Sequence, residues 1–523
     1  MHPRPAWVAF PLAVHGIGGM KWGMATAHGT TRRDFLKTGF GAASAGIISA
    51  GTSARGAGIG GGMGEPNLVY VFSDQWRWCD HGYEGNREVA TPRIDGLARE
   101  SVNFRNAVSC MPVCSPHRAS LITGQYPLTH GLFINDLSLN DRAVSFAQAL
   151  DKGGYETGYV GKWHIDGRGR TKFTPPERRK GFKFWRAMEC THAYNKSEYF
   201  GDDPEQKKVW PGYDAYAQTD EAVGFLRARA ADKKKFALFL SWGPPHDPYR
   251  TGPPEILARY DARSLTLRPN VPEALRAEAQ KTYAGYYTHI EALDQCVGRL
   301  LDALRDTGLG QNTIFIYTSD HGDMLHSQGL LKKQKPWDES LRVPLLVRCP
   351  APMAVAPRDI QTPINTPDIM PTVLSLCGVP VPSTAEGEDF SPLLVGRKEG
   401  SDSAALIMCP SPFGEWTRAK GGKEYRGVRT VRYTYVRDLE GPWLLYDNAE
   451  DPFQQRNLVA DPAFAKIRAD LEERLRARLA QTGDEFLPGP ELIRRCGYKV
   501  DANDTVPSTP PYFNQVTVPC RKG

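Results

Sequence analysis

Asn67-Leu68-Val69-Tyr70-Val71-Phe72-Ser73-Asp74 is a run of apolar, mostly β-branched or aromatic residues that stops on a carboxylate. Continuous rather than alternating hydrophobicity is how a strand covered on both faces reads, and such strands belong to parallel sheets. Similar runs follow from Phe236 to Ser241, Thr313 to Thr318 and Val343 to Val347, separated by helical stretches such as Ala215 to Ala231 and Ala274 to Leu304. Strands alternating with helices predict an α/β fold: a large, mostly parallel sheet sandwiched by helices. Open sheets of this kind gather their ligands beyond the carboxyl ends of the strands. Two of these runs lead straight into acids there, at Ser73-Asp74 and Ser319-Asp320-His321.

Outward from this core, a Pro- and Gly-rich passage from Val379 to Gly400 reads as a boundary, giving a main domain over 67–395 and a small C-terminal α+β domain with its tail over 400–523. In the latter, Tyr425 to Arg437 and Trp443 to Tyr446 read as strands, Ala463 to Thr482 has the spacing of an amphipathic helix, and the tail after Gly483 reads as irregular. With 523 residues, 41% hydrophobic and 24% charged, the composition is that of a folded globular chain. Its net charge of +6 comes from dispersed residues, with no Arg-Lys block of the kind that binds nucleic acid. Mild basicity suits an anionic substrate.

The N-terminus carries Thr31-Arg32-Arg33-Asp34-Phe35-Leu36-Lys37 before a Gly- and Ala-rich stretch, then a glycine run through Gly64. This looks like a twin-arginine export signal over 1–54 followed by a Gly-rich linker over 55–66, with Met20 or Met24 as alternative starts. The implied partner is the twin-arginine (Tat) translocon and the implied location periplasmic or secreted. No stretch approaches the roughly 20 continuous apolar residues that span a bilayer, so the mature chain is expected to have no membrane anchor. Ten cysteines without a CxxC pair disfavour a zinc ribbon or disulfide scaffold, and few disulfides are expected.

The stretch that carries chemistry is Cys114-Ser115-Pro116-His117-Arg118, continuing through Ala119 to Gly124. It resembles the Cys-x-Pro-x-Arg motif of type I sulfatases, members of the alkaline phosphatase superfamily, in which the cysteine is oxidised to formylglycine. The resemblance extends over nearly the whole mature chain: Ser73-Asp74-Gln75-Trp76-Arg77, Thr91-Pro92, Gly161-Lys162-Trp163-His164, Pro244-Pro245-His246-Asp247-Pro248, Ser319-Asp320-His321-Gly322-Asp323, Lys333 ahead of Trp337, Arg342-Val343-Pro344, and Leu445 through Pro452.

The resemblance implies hydrolysis of a sulfate ester, a reaction that requires charge neutralisation on the nonbridging oxygens, an in-line nucleophile and a proton for the leaving alcohol. By resemblance Asp74, Gln75, Asp320 and His321 ligate one divalent metal together with the formylglycine made from Cys114. Arg118 anchors the aldehyde hydrate, Lys162 and Lys333 hold sulfate oxygens, His164 is the base that promotes turnover, and His246 protonates the leaving oxygen. Many relatives have a second carboxylate where this chain has Gln75 and Asn where it has His321. Calcium is the family expectation, and the imidazole brings manganese and magnesium into competition. His130 reads as structural and Asp323 as a support for the ligands. Two aromatic and polar stretches, Trp185 to Tyr199 with His192, Tyr194 and Lys196, and Trp210 to Tyr216, suit either a sugar-binding cleft or ordinary loops with buried aromatics. Export favours a sulfated saccharide substrate, and formylglycine implies a maturation enzyme as partner. The rival readings are a phosphonate monoester or phosphodiester hydrolase, a choline sulfatase, and a noncatalytic binder of sulfated glycans.

Overall fold

The computed structural model describes residues 65–261, 263–507 and 520. The expected export signal and most of the linker lie outside the described residues. The main sheet has ten strands, in spatial order Arg358–Ile360, Val102–Phe104, Leu345–Arg348, Thr313–Ser319, Asn67–Asp74, Phe236–Pro245, Glu156–Lys162, Phe184–Met188, Glu198–Phe200 and Lys207–Val209. Asn67–Asp74 sits at its centre, parallel to both neighbours, with Val71 opposite Leu240 on one side and Tyr317 on the other.

Its side chains divide by the two-residue period of a strand. Leu68, Tyr70 and Phe72 enter a buried cluster with Leu121, Leu150 and Leu374, from the helices Cys114–Thr123, Phe146–Lys152 and Thr366–Leu376. Val69 and Val71 enter the opposite cluster with Leu97, Leu226 and Leu293, from the helices Pro92–Arg99, Asp214–Asp232 and Arg276–Asp306. Both faces are covered, so the run has no polar side to show in sequence.

The expected α/β class stands: the strands from Thr313–Ser319 across to Phe184–Met188 are all parallel, and antiparallel pairings occur toward both edges. The run from Val343 to Val347 forms the strand Leu345–Arg348, which pairs antiparallel with Thr313–Ser319; the connection from Asp320 to Pro344 holds only the short helical turns Ser327–Gly329 and Asp338–Leu341 and no long crossover helix of the kind that joins parallel strands. A separate antiparallel sheet follows: Ala405–Cys409, Tyr425–Arg429, Tyr433–Asp438 and Pro442–Asp447. The helix Ala465–Thr482 buries Leu471 and Leu475 beside it. Leu406, Val428, Tyr435 and Leu445 join the same apolar cluster as Leu68 and Tyr70, so the two sheets share a core.

Between Asp484 and Pro507 the tail is more ordered than expected. It forms a helix, Gly489–Cys496, with Pro490 in its first turn, where the missing N–H costs nothing, and with Leu492, Ile493 and Cys496 buried. Cys496 and Cys520 form a disulfide, and the other eight cysteines are free. Among the described residues no helix is long and apolar enough to cross a membrane.

Candidate active site

The carboxyl ends of the central strands deliver the polar groups. Asp74 ends its strand, Lys162 ends Glu156–Lys162, Asp320 follows Thr313–Ser319, and His246 follows Phe236–Pro245. Cys114 is the first residue of the helix Cys114–Thr123, whose N-terminal amides and dipole favour negative charge. Gly161 explains how Lys162 reaches the centre: at φ +104°, a Cβ there would lie 2.0 Å from the Ser241 carbonyl oxygen, so only glycine admits so close an approach of the two strands.

One ligand atom each from Asp74, Cys114, Asp320 and His321 lies within 4.8 Å of every other, all in fully buried residues. Cys114 Sγ lies 3.5 Å from Asp74 Oδ1 and 3.4 Å from both His321 Nε2 and Lys333 Nζ, accepting from the lysine. Arg118 ties the cluster together, donating through Nη2 to Asp74 Oδ2 and Asp320 Oδ2, each at 3.0 Å, and through Nη1 to Ser241 Oγ and the Lys162 carbonyl, each at 2.7 Å. Lys162 Nζ donates to Asp74 Oδ2 at 2.6 Å.

The donor set fits a hard divalent cation. Gln75 Nε2 donates to Asp323 Oδ2 at 2.7 Å, which fixes the amide and leaves Oε1 buried without a hydrogen-bond partner. His321 Nδ1 lies 2.9 Å from the Gly322 carbonyl; donating there, it turns Nε2 toward Cys114 and the carboxylates, the nitrogen that would give up its proton to ligate an ion. Burial opposes charge on His321, yet Asp320 and Cys114 carry its pKa up to about 9, so the cluster draws positive charge inward. Two carboxylates, an amide oxygen and an imidazole would thus hold the ion, with Asp323 supporting the amide as expected.

The charges around the cluster are set for an anion. Burial works against both lysines, but Asp74 and Cys114 raise Lys162, and Cys114, Glu415 and Asp74 raise Lys333, so both stay protonated. Burial raises the Asp74 carboxyl and the Cys114 thiol, and their cationic neighbours reverse this: Lys162, His246 and Arg118 bring Asp74 below the carboxylate range, while Lys162, Lys333 and His321 bring Cys114 well below the thiol range. His246 Nδ1 lies 2.8 Å from the Asp247 carbonyl oxygen, and its Nε2 contacts Lys333 Nζ.

His164 adjoins Cys114 and Cys190. Its Nε2 contacts Asp136 Oδ1 at 3.2 Å, its Nδ1 is buried without a partner, and Arg170 grips the same carboxylate at 3.0 and 2.8 Å. Asp136 and Arg170, like Ser241 behind Arg118, carry no motif and escape a reading of the sequence. Gln75, Asp136, His164, Lys332 and Gln334 all have φ between +60° and +75°, backbone strain gathered around the site.

Every sequence-derived site residue is therefore placed in one cluster, Asp74, Gln75, Cys114, Arg118, Lys162, His164, His246, Asp320, His321 and Lys333 alike. His130 lies apart in a structural role, 3.0 Å from Ser120 Oγ and accepting from the Leu132 amide at 3.1 Å. The aromatic stretches are mostly core: Trp185 stacks on Tyr159, Tyr199 on Trp210, and Tyr194 and Tyr213 are buried. From them Cys190 and His192 reach the cleft, the His192 ring 4.4 Å from that of His246. The cleft encloses about 390 Å³, within the range of small-molecule sites.

Comparison with known proteins agrees with this geometry. Residues 66–379 match the Sulfatase family model, and residues 327–481 match that of N-sulphoglucosamine sulphohydrolase, C-terminal. The chain is 41% identical to an ulvan-active sulfatase of Formosa agariphila, over 84% of this chain and 86% of that one. It is 31% identical to an endo-4-O-sulfatase of Bacteroides thetaiotaomicron, over 76% and 88% respectively. A solved structure from the metabolism of multiple glycosaminoglycans by the same bacterium matches with a TM-score of 0.73 and 29% identity, covering 82% of this chain and 99% of the other. The chain belongs to the sulfatase family of the alkaline phosphatase superfamily, the sulfuric ester hydrolases.

Proposed function

We propose that this sulfatase removes sulfate from a carbohydrate ester, with Cys114 matured to formylglycine and one divalent cation held by Asp74, Gln75, Asp320 and His321. The observation that carries this reading is the convergence of those ligand groups on Cys114, with two protonated lysines beside it. A saccharide substrate is supported by the relatives active on ulvan and as an endo-4-O-sulfatase, and by a cleft with room beyond a sulfate group.

When bound, the cation neutralises charge on a sulfate oxygen and acidifies a hydroxyl at position 114; calcium is the first candidate, manganese and magnesium the next. Matured to formylglycine and hydrated, position 114 would supply two hydroxyls, one to attack sulfur as the sugar alcohol departs and the other, on losing its proton, to expel sulfate and restore the aldehyde, which water would hydrate again. Lys162 and Lys333 bind the anionic ester through its oxygens, and Arg118 keeps Asp74 and Asp320 at fixed separation. His246, with Nδ1–H donated to the Asp247 carbonyl, directs Nε2 at Lys333, and the pair holds the proton that the leaving oxygen takes. His164, steadied through Nε2 by Asp136, has Nδ1 free to take the hydrate proton.

The N-terminal sequence supports export through the twin-arginine translocon to the periplasm or beyond, after maturation by a formylglycine-generating enzyme. Parallel assays of the matured protein on a sulfated monosaccharide, a phosphonate monoester and choline sulfate test the reading. The highest kcat/KM is expected for the sugar sulfate, and a preference for the phosphonate contradicts it.

A further inference from the structure

Both family matches end before residue 482, yet Asp501, Thr505, Val506 and Pro507 line the same cleft as Cys114, Lys162 and His164. These residues form a built loop. The Asp501 carboxylate accepts from the amides of Asn503 at 2.8 Å and Thr505 at 2.9 Å and from the Thr505 hydroxyl, while the Asp501 amide donates to the Thr505 carbonyl at 2.9 Å. The Gly414 amide donates to the Asn503 carbonyl at 3.0 Å, which fastens the loop to Phe413, Gly414 and Glu415, another part of the cleft wall. Arg418 pairs with Asp504.

The approach to the loop is also anchored. The Tyr498 hydroxyl donates to the Gly131 carbonyl at 2.8 Å, its ring lies 5.5 Å from that of Phe133, and Cys496 is locked by its disulfide to Cys520. The loop is thus anchored both to the main domain and to the cleft wall. Its hydrogen bonds are spent within itself and on the neighbouring wall, so it leaves the catalytic cations and imidazoles to the sulfate group.

We infer that the segment Asp501–Pro507 is a specificity-determining wall for the sugar that bears the scissile ester, an inference that rests on the carbohydrate reading above. Pro507, resting over the buried Phe413 and Val506, gives it an apolar edge suited to the C–H face of a pyranose ring, and Thr505 Oγ keeps a lone pair for a ring hydroxyl. A loop preorganised in this way holds the sugar without paying ordering entropy at each encounter.

The test compares the ratio of kcat/KM for a sulfated disaccharide to that for 4-nitrophenyl sulfate in the parent and in Asp501→Ala and Val506→Ala. Both rates are read on one preparation, so lost folding scales them together and leaves the ratio untouched. A fall of tenfold or more in the ratio, carried by KM for the disaccharide, is expected for both variants. A ratio within twofold of the parent's in both variants overturns the wall while leaving the carbohydrate reading standing. A parent that turns over the aryl sulfate but no sulfated sugar overturns that reading, and the wall with it.

Discussion

Arg118 holds both cluster carboxylates, one partner strand and the backbone of Lys162 with a single guanidinium that is 1% exposed. No lysine reproduces that planar fork. Arg118→Lys is expected to lose activity by at least about 100-fold, and to lower stability by about 3–5 kcal/mol for a broken buried charge network, read by steady-state kinetics and a denaturant titration. His246→Ala is expected to lower kcat by about 10²–10⁴-fold on a sugar sulfate and by less on an aryl sulfate, whose better leaving group needs less protonation; equal losses on both contradict the assigned role. At this scale the legible residues were those with a local pattern: Cys114 with Pro116 and Arg118, or Asp320 with His321. Asp136, Arg170 and Ser241 act through contacts 28, 34 and 123 residues apart in sequence, and nothing in a single chain announces such pairs.

The helix Thr366–Leu376 carries a buried acid whose titration is visible in stability. Asp368 Oδ2 accepts from the Asn365 amide and Oδ1 from the Glu388 amide, each at 2.8 Å, yet burial outweighs them and pushes its carboxyl up to about 7. A raised native pKa favours the protonated form in the fold. Its contribution is whole below the unfolded value of about 4 and is lost as pH rises through about 7. The stability difference between the parent and Asp368→Asn is therefore expected to shift in the variant's favour from pH 5 to pH 8, and thermal melting across that window checks it; a constant difference contradicts it. Elements were legible where hydrophobic pattern is strong: the helix foreseen from Ala274 to Leu304 is Arg276–Asp306, and the central strand was read to its last residue. The helix Gly489–Cys496 went unread because Pro488, Gly489 and Pro490 look like loop punctuation, and its stability comes from Leu492, Ile493 and the Cys496–Cys520 disulfide.

The whole molecule is a parallel-centred sheet whose strand ends collect buried acids, lysines and imidazoles around one cysteine, with a second sheet and an anchored tail completing the cleft. The architecture was legible because continuous apolar runs allow few other folds. The cleft's outer wall was not, since it is assembled from residues near 136, 190, 414 and 505 that meet only in the folded chain. An ion bound by the native state alone stabilises it by about 2.7 kcal/mol at a hundredfold excess over Kd. Chelation is therefore expected to lower the melting temperature and abolish turnover, with calcium restoring both and Asp74→Asn insensitive to either treatment. The most direct measurement is mass spectrometry of the peptide spanning Cys114, taken from a preparation that hydrolyses a sulfate ester. The expected result is a peptide that has lost its sulfur and carries an aldehyde reactive toward a hydrazide; an intact Cys114 thiol in the fully active preparation would contradict the formylglycine nucleophile.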